Sequence, residues 1–467
     1  MLQTRTISLP NGLPKRERLQ ALVAISVALA MATLDTAITN TALPTIAGDI
    51  GSDGASAIWI INAYQLVMVA TLLPLASLGE IVGHRRVHIA GSLLFTAASL
   101  ACGLSWSLPT LVAARVLQGL GAAAIISVNT ALIRFVYPAR MLGRGVGLNA
   151  LVAGLAFTAG PTVASAILSI TTWHWLFLIN VPAGFIAIGL SLRTLPDTGR
   201  ASHGFDSIAA LLCAGLFALV IFGLAAVADR SGWPVIAAEW VTAIACGYAL
   251  LRREAGRSAP MLAVDLFRRP AFSLSALTSI CTFATQGLAF VSLPFLLQDM
   301  MGYSAVETGF LMTPWSAVVA VMAPIAGRLS DRYSPGLLGG GGLLVLCGGM
   351  ASLALLPQNS GVMEIMWRLV LCGAGFGFFQ SPNLRALMGG APPERSGGAS
   401  GIVAAARLLG RSIGAALVAL CFTASRDTGP ELALWVGSGF AAVGSIVSFL
   451  RLFPMSRGQE DDAEPVT

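Results

Sequence analysis

Fourteen apolar runs divide the sequence, most of them near the twenty residues that a helix needs to cross about 30 Å of hydrocarbon. By residue number they cover 21–43, 57–78, 87–106, 110–135, 146–170, 174–193, 207–228, 233–251, 271–298, 307–326, 337–356, 363–386, 397–423 and 431–452. Only short loops separate them, and none is polar enough to fold as a separate soluble domain. Charge confirms bilayer as the solvent. A soluble domain has about a quarter of its residues charged, whereas this chain has 11% charged and 56% apolar. The expected fold class is an all-α polytopic membrane protein, which excludes most enzyme classes.

Several features that could mislead have simpler readings. The net charge of +6 is spread between apolar runs, so it points to membrane topology and not to nucleic acid. The seven cysteines lie inside apolar runs with no CxxC pair, as small packing residues do. His84 and His88 stand four apart like a metal pair, but among arginines and with no carboxylate pair nearby; a solvated loop is expected there. Lys15, Arg16 and Arg18 before an apolar run, with Ala30-Met31-Ala32 after it, resemble a signal peptide. The apolar pattern continues to Leu43, so no cleavage is expected. Mid-span prolines (Pro74, Pro161, Pro182, Pro294, Pro314, Pro324, Pro382) are tolerated where neighbours satisfy the freed carbonyls.

Basic residues set the orientation. Of the 28 Lys and Arg, Arg115, Arg368, Arg407 and Arg411 lie well inside spans and away from their ends. Only Arg230 and Arg426 fall on the face that carries the odd-to-even loops. All the others lie on the opposite face with both termini, which the positive-inside rule places in the cytoplasm. The chain also repeats itself. Gly79–Arg86 follows the second span as Gly327–Arg332 follows the tenth, and Arg115 through Gly121 parallels Arg368 through Gly375. Two six-span halves (1–200 and 259–455), a two-span insert (201–258) and a cytoplasmic tail (456–467) account for this. Such repeats place a transport site between halves near the midplane.

Charged residues inside the spans are functional candidates by default, because charge in hydrocarbon is expensive. Asp35 is the only acid deep within a span of either half. Burial favours its neutral form and a neighbouring guanidinium favours its carboxylate, so a proton or a cationic substrate can compete for it. Glu239, in the insert, is a second candidate. A buried arginine keeps its proton, so Arg115 acts electrostatically. The glycines at 119 and 121 form a fragment of a dinucleotide fingerprint; with no strand before them, close helix packing explains them better.

Leu78-Gly79-Glu80 through Gly83 and Arg85-Arg86 resembles the signature loop of the major facilitator superfamily, with Glu80 where Asp is usual. Gly327–Arg332 is similar and keeps Asp331 and Arg332. LVAARVLQGLGAA, built on Arg115, Gln118 and Gly119, resembles the fourth-helix motif. Gly160-Pro161 is similar to the antiporter motif, with Ala164 and Ser165 in place of further glycines. Thr33 to Ala37 and Asn40 to Pro44 resemble the first helix of the fourteen-span drug:proton antiporters of quaternary-ammonium and multidrug type. In the second half Gln298, Gly309, Pro314 and Ser396 to Gly401 through Arg407 and Gly410 extend the likeness.

This resemblance implies the major facilitator fold and alternating access. It implies proton-coupled export of small hydrophobic toxic compounds, often cationic, across a bacterial inner membrane. The proton is the coupling ion and no cofactor is implied. The expected partners are the substrate, protons and lipid, with the monomer as working unit. The two signature loops form a gating latch in which Glu80 and Asp331 pair with helix ends or arginines. Four arginines against two clear acids within the spans keep open an alternative, an exporter of an anionic, zwitterionic or neutral metabolite. A membrane-embedded enzyme or a sensor is remote.

Overall fold

The computed structural model describes residues 12–138, 141–198, 204–228, 232–254, 264–357, 360–390, 396–425 and 428–452. Fourteen helices among them are long and apolar enough to cross a membrane. We number these α1 to α14. The first half comprises α1 (Lys15–Ile50), α2 (Trp59–Val82), α3 (His84–Gly103), α4 (Leu108–Val136), α5 (Leu142–Leu168) and α6 (Asn180–Thr194). The insert is α7 (Ser207–Ala228) and α8 (Trp233–Glu254). The second half is α9 (Pro270–Phe295), α10 (Ala305–Leu329), α11 (Pro335–Ala354), α12 (Val362–Gly389), α13 (Ser396–Ala424) and α14 (Gly429–Leu450). Arg230, Arg426, the tail at 456–467 and the insert's edges at 201 and 258 lie outside the described residues.

Local chemistry explains where helices stop. α1 outruns its apolar stretch and ends only at Gly51, whose φ of +71° is the left-handed cap that glycine adopts without strain. The Asp53 carboxylate then accepts from the Ser56 amide, starting the short turn Gly54–Ala57 ahead of α2. Ser304 and Glu307 form a reciprocal capping box at the start of α10. The sixth span begins as a separate turn, Trp175–Leu178, before α6. Pro182 therefore lies in the first turn of α6 and not mid-span, where it removes the amide that would reach the Leu178 carbonyl.

The loop expected around His84 and His88 is helix instead. Gly83, at φ +108°, ends α2 in one residue and α3 starts at His84. The His84 amide donates to Thr198 Oγ1 at 2.9 Å. Both imidazoles are buried, and neither ring nitrogen of His88 has a hydrogen-bond partner.

The internal repeat corresponds to a packing repeat. A Cβ on Gly119 of α4 would sit 2.5 Å from the Tyr64 carbonyl of α2, and one on Gly373 of α12 2.3 Å from the Trp315 carbonyl of α10. Gly121 and Gly375 make the matching close approaches to α3 and α11, at 2.6 Å from the Phe95 amide and 2.4 Å from the Leu346 amide. Without a hydrophobic driving force between helices in lipid, small residues supply the contact. The one-residue spacing difference between the two runs falls before the first of these glycines, so both contacts are kept.

Hydrogen bonds join the halves along α1 and α5 on one side and α10 and the end of α9 on the other. Thr45 Oγ1 donates to Gln298 Oε1 at 3.1 Å and Gln298 Nε2 to the Thr41 carbonyl at 3.3 Å. Thr162 meets Thr313 at 2.8 Å, and Thr158 donates to the Ser316 carbonyl at 3.3 Å. Among the described residues, these inter-half bonds run from mid-helix to the end opposite the termini. The insert leans on both halves through α7, where Ile221 packs with Leu66 of α2 and Ala416 of α13. Leu211, Val241, Ile244 and Tyr248 of the insert are exposed, as lipid-facing side chains are.

Candidate functional site

Asp35 lies on α1 nine residues before Pro44, in a stretch rich in Thr and Asn, and is 1% exposed. Thr36, Thr39 and Thr41 turn their hydroxyls back onto backbone carbonyls four residues earlier, so they satisfy themselves and leave the carboxylate to other helices. α4 supplies two donors. Arg115 Nη1 meets Asp35 Oδ2 at 2.5 Å, and Gln118 Nε2 meets Oδ1 at 2.8 Å. Their i, i+3 spacing places both on one face of α4. A third donor, Asn180 Nδ2 of α6, reaches Oδ1 at 2.9 Å.

The surrounding groups hold Arg115 in place. Its Nε donates to the Ile60 carbonyl at 3.1 Å and its Nη1 to Gln118 Oε1 at 2.6 Å. The Tyr64 ring covers the guanidinium at 4.0 Å, and the Tyr64 hydroxyl donates to the Ala32 carbonyl of α1 at 3.2 Å. Gln118 also donates to Ser99 Oγ of α3 at 2.9 Å. A fully hydrogen-bonded ion pair in this setting is compatible with burial, whereas either partner alone is not. The site holds one carboxylate against the Arg115 guanidinium.

The Gly160-Pro161 segment adjoins this network. A Cβ on Gly160 of α5 would lie 2.2 Å from Ala37 Cβ, two residues from Asp35. Across the seam, a Cβ on Gly309 of α10 would lie 2.4 Å from the Pro161 carbonyl and 1.7 Å from Ser165 Oγ. The Gly160-Pro161 segment thus lies between the Asp35 helix and the opposite half.

Other candidates lie apart. Glu239 is on α8 of the insert, with Oε2 buried and unpartnered, away from the Asp35 network. Arg368 was expected to match Arg115 as an intramembrane charge. It sits in the second turn of α12, ion-paired with Glu364, its Nε donating to the Ser352 carbonyl at 3.1 Å. Its depth in α12 is nearly that of Arg115 in α4; the difference lies in its partner, a glutamate one turn earlier on the same helix. Arg407 and Arg411 lie one turn apart in the middle of α13, partly exposed. In the loops, Asp331 pairs with Arg385 of α12, and Arg85 Nη2 donates to the Leu192 carbonyl near the end of α6 at 2.6 Å. Glu80 ends the exposed edge of α2, Gly83 makes the turn, and Arg86 and Arg332 are exposed; Gly327 leaves room against Ser381 of α12. Asn180, Tyr64 and Arg385 belong to these contacts without any local motif to mark them.

A buried carboxylate network beside a seam between two pseudo-repeated helical halves defines the chain as a membrane transporter. Residues 25–415 match the Major Facilitator Superfamily, and the chain belongs to that family. It is 49% identical to the "Uncharacterized transporter YebQ" of Escherichia coli (strain K12), over 96% of this chain and 98% of that one. It is 32% identical to the "Multidrug resistance protein Stp" of Mycobacterium tuberculosis (strain CDC 1551 / Oshkosh), over 91% of this chain and 77% of that one. Its fold is similar to the crystal structure of a D-xylose-proton symporter (TM-score 0.69, 13% identity, 92% of this chain and 97% of that one).

Proposed function

We propose that the chain is a proton-coupled exporter of small hydrophobic compounds, working by alternating access between its two halves in a bacterial inner membrane. The observation that carries this is Asp35. Among the described residues it is the only buried acid in either six-helix half. A coupling group must gain and lose a proton during the cycle, which Arg115 cannot do. The likeness to a multidrug resistance protein supports export. Proton entry supplies energy, since the membrane potential is worth about 2.3 kcal/mol per charge per 100 mV.

Rocking of the halves would open the seam at Gln298 and Gly309 while the loops at Asp331 and Arg85 hold helix ends together. One chain contains both halves and the whole seam, which supports a monomeric working unit. The test begins with growth of a pump-deficient bacterium on dyes and biocides. Any compound so identified is then followed out of vesicles under an imposed pH gradient. Export that tracks the gradient and stops with a protonophore is expected; export indifferent to it rejects proton coupling.

Topology is tested separately. The basic residues on the face with the termini place both termini in the cytoplasm. A periplasm-active reporter fused to the C-terminus should be silent. A strong signal would overturn the orientation and the even number of crossings.

A further inference from the structure

We propose that Arg407 and Arg411 of α13 form a recognition site for an amphiphilic organic anion, an oxyanion such as a carboxylate or sulfonate attached to an aromatic body. This rests on the export reading for its place in the cycle and names the substrate class. The two guanidinium groups project from one face of α13, four residues apart, where like charges repel. Arg411 Nε donates to Gln286 Oε1 at 3.1 Å, a neutral acceptor, and its Nη groups have no hydrogen bond among the described residues. Arg407 has none at all among them. No carboxylate among the described residues pairs with either, although Arg115, Arg253, Arg368 and Arg385 all have one.

The rest of the surroundings are aromatic. Arg411 lies over Phe157 at 4.8 Å and over Phe283 at 5.3 Å, and Arg407 lies over Phe283 at 5.4 Å. Phe157 belongs to α5 of the first half, whereas Phe283 and Gln286 belong to α9 of the second. The site therefore spans the seam that alternating access must open and close. Both arginines are partly exposed, so a ligand can reach them.

Guanidinium groups this deep carry a desolvation cost that a counter-charge relieves, and their free N–H forks fit an oxyanion. Asp35 cannot serve, because Arg115 already holds it. Two uncompensated positive charges repel a cationic substrate and attract an anionic one, while the phenylalanine rings accept its apolar body. An anion leaving an inside-negative cell also moves down the electrical gradient, so the charge favours export. The cationic preference implied by the sequence resemblance is thereby reversed.

Two xanthene dyes of similar shape and opposite charge make the test: fluorescein, an anion, and rhodamine 123, a cation. Their binding to the purified full-length protein in detergent is read by fluorescence anisotropy. Fluorescein should bind at least tenfold more tightly than rhodamine 123. Arg407→Gln combined with Arg411→Gln should weaken fluorescein at least tenfold, while Arg411→Lys should weaken it less. If the double variant elutes as aggregate, the single variants Arg411→Gln and Arg411→Lys carry the comparison. Tighter binding of rhodamine 123, no binding of fluorescein, or fluorescein affinity unchanged by the glutamines would overturn the proposal. Binding needs neither a proton gradient nor turnover, so failure of proton coupling leaves this result separately readable.

Discussion

On the proposed proton-coupled export, Asp35→Asn should give a folded, membrane-inserted protein that no longer couples export to proton entry. Asn has nearly the shape of Asp but carries no charge at any pH, so it mimics the protonated state of the cycle and cannot leave it. Removing the charge leaves Arg115 without its counter-ion, a loss that soluble proteins register as about 3–5 kcal/mol. A transporter that cycles through neutral Asp35 must tolerate that state, which is why the variant is expected to fold. Asp35→Glu keeps a titratable group but displaces it by one methylene from three fixed donors. Partial activity is expected. The decisive measurement is proton release from purified protein on adding substrate. If Asp35→Asn releases protons at the wild-type stoichiometry, Asp35 is structural and Glu239 becomes the next candidate.

Arg115→Met should destabilise the protein more than any other single substitution in the network. It fills a similar volume, yet it strands a carboxylate in a site with 1% exposure and abandons the Ile60 carbonyl and Gln118 Oε1. Breaking a buried pair from one side typically costs about 3–5 kcal/mol, whereas replacing both partners by apolar residues of similar size is often neutral. The double variant Asp35→Leu with Arg115→Met should therefore recover much of the lost thermal midpoint in detergent while remaining inactive in proton-driven export. A single variant as stable as wild type would mean that Asp35 does not need Arg115 as its counter-charge.

The network shows how far sequence reading reaches. Asp35 and Arg115 were each conspicuous alone, because a charge inside an apolar run is expensive wherever the run lies. Gln118 was marked only by its place in the fourth-helix motif, through the family resemblance. Asn180 could not be found this way: an amide near a span end costs little, and only the approach of α6 to α1 aims it at Asp35. Arg385 was hidden for a similar reason, since it lies on α12 and its partner Asp331 in the loop after α10. Arg368 looked equivalent to Arg115 and stands at a similar depth in its helix, but its acid is Glu364 one turn earlier on the same helix, whereas the acid of Arg115 comes from α1. The histidines at 84 and 88 were misread because a one-residue turn at Gly83 leaves no loop to solvate them.

By itself the sequence determined the all-helical membrane class, the fourteen spans, their arrangement as two repeats around an insert, and the charges worth asking about. These depend on run length, composition and local spacing, each readable within one segment. Tertiary structure alone decided which charges are compensated. Asp35 finds Arg115 eighty residues away in sequence, while among the described residues Arg407 and Arg411 find only phenylalanine rings and an amide. The cost of a buried charge is written in its own residue type. Its counter-charge comes from whichever helix the packing brings alongside, and that depends on contacts between distant segments that no single segment encodes.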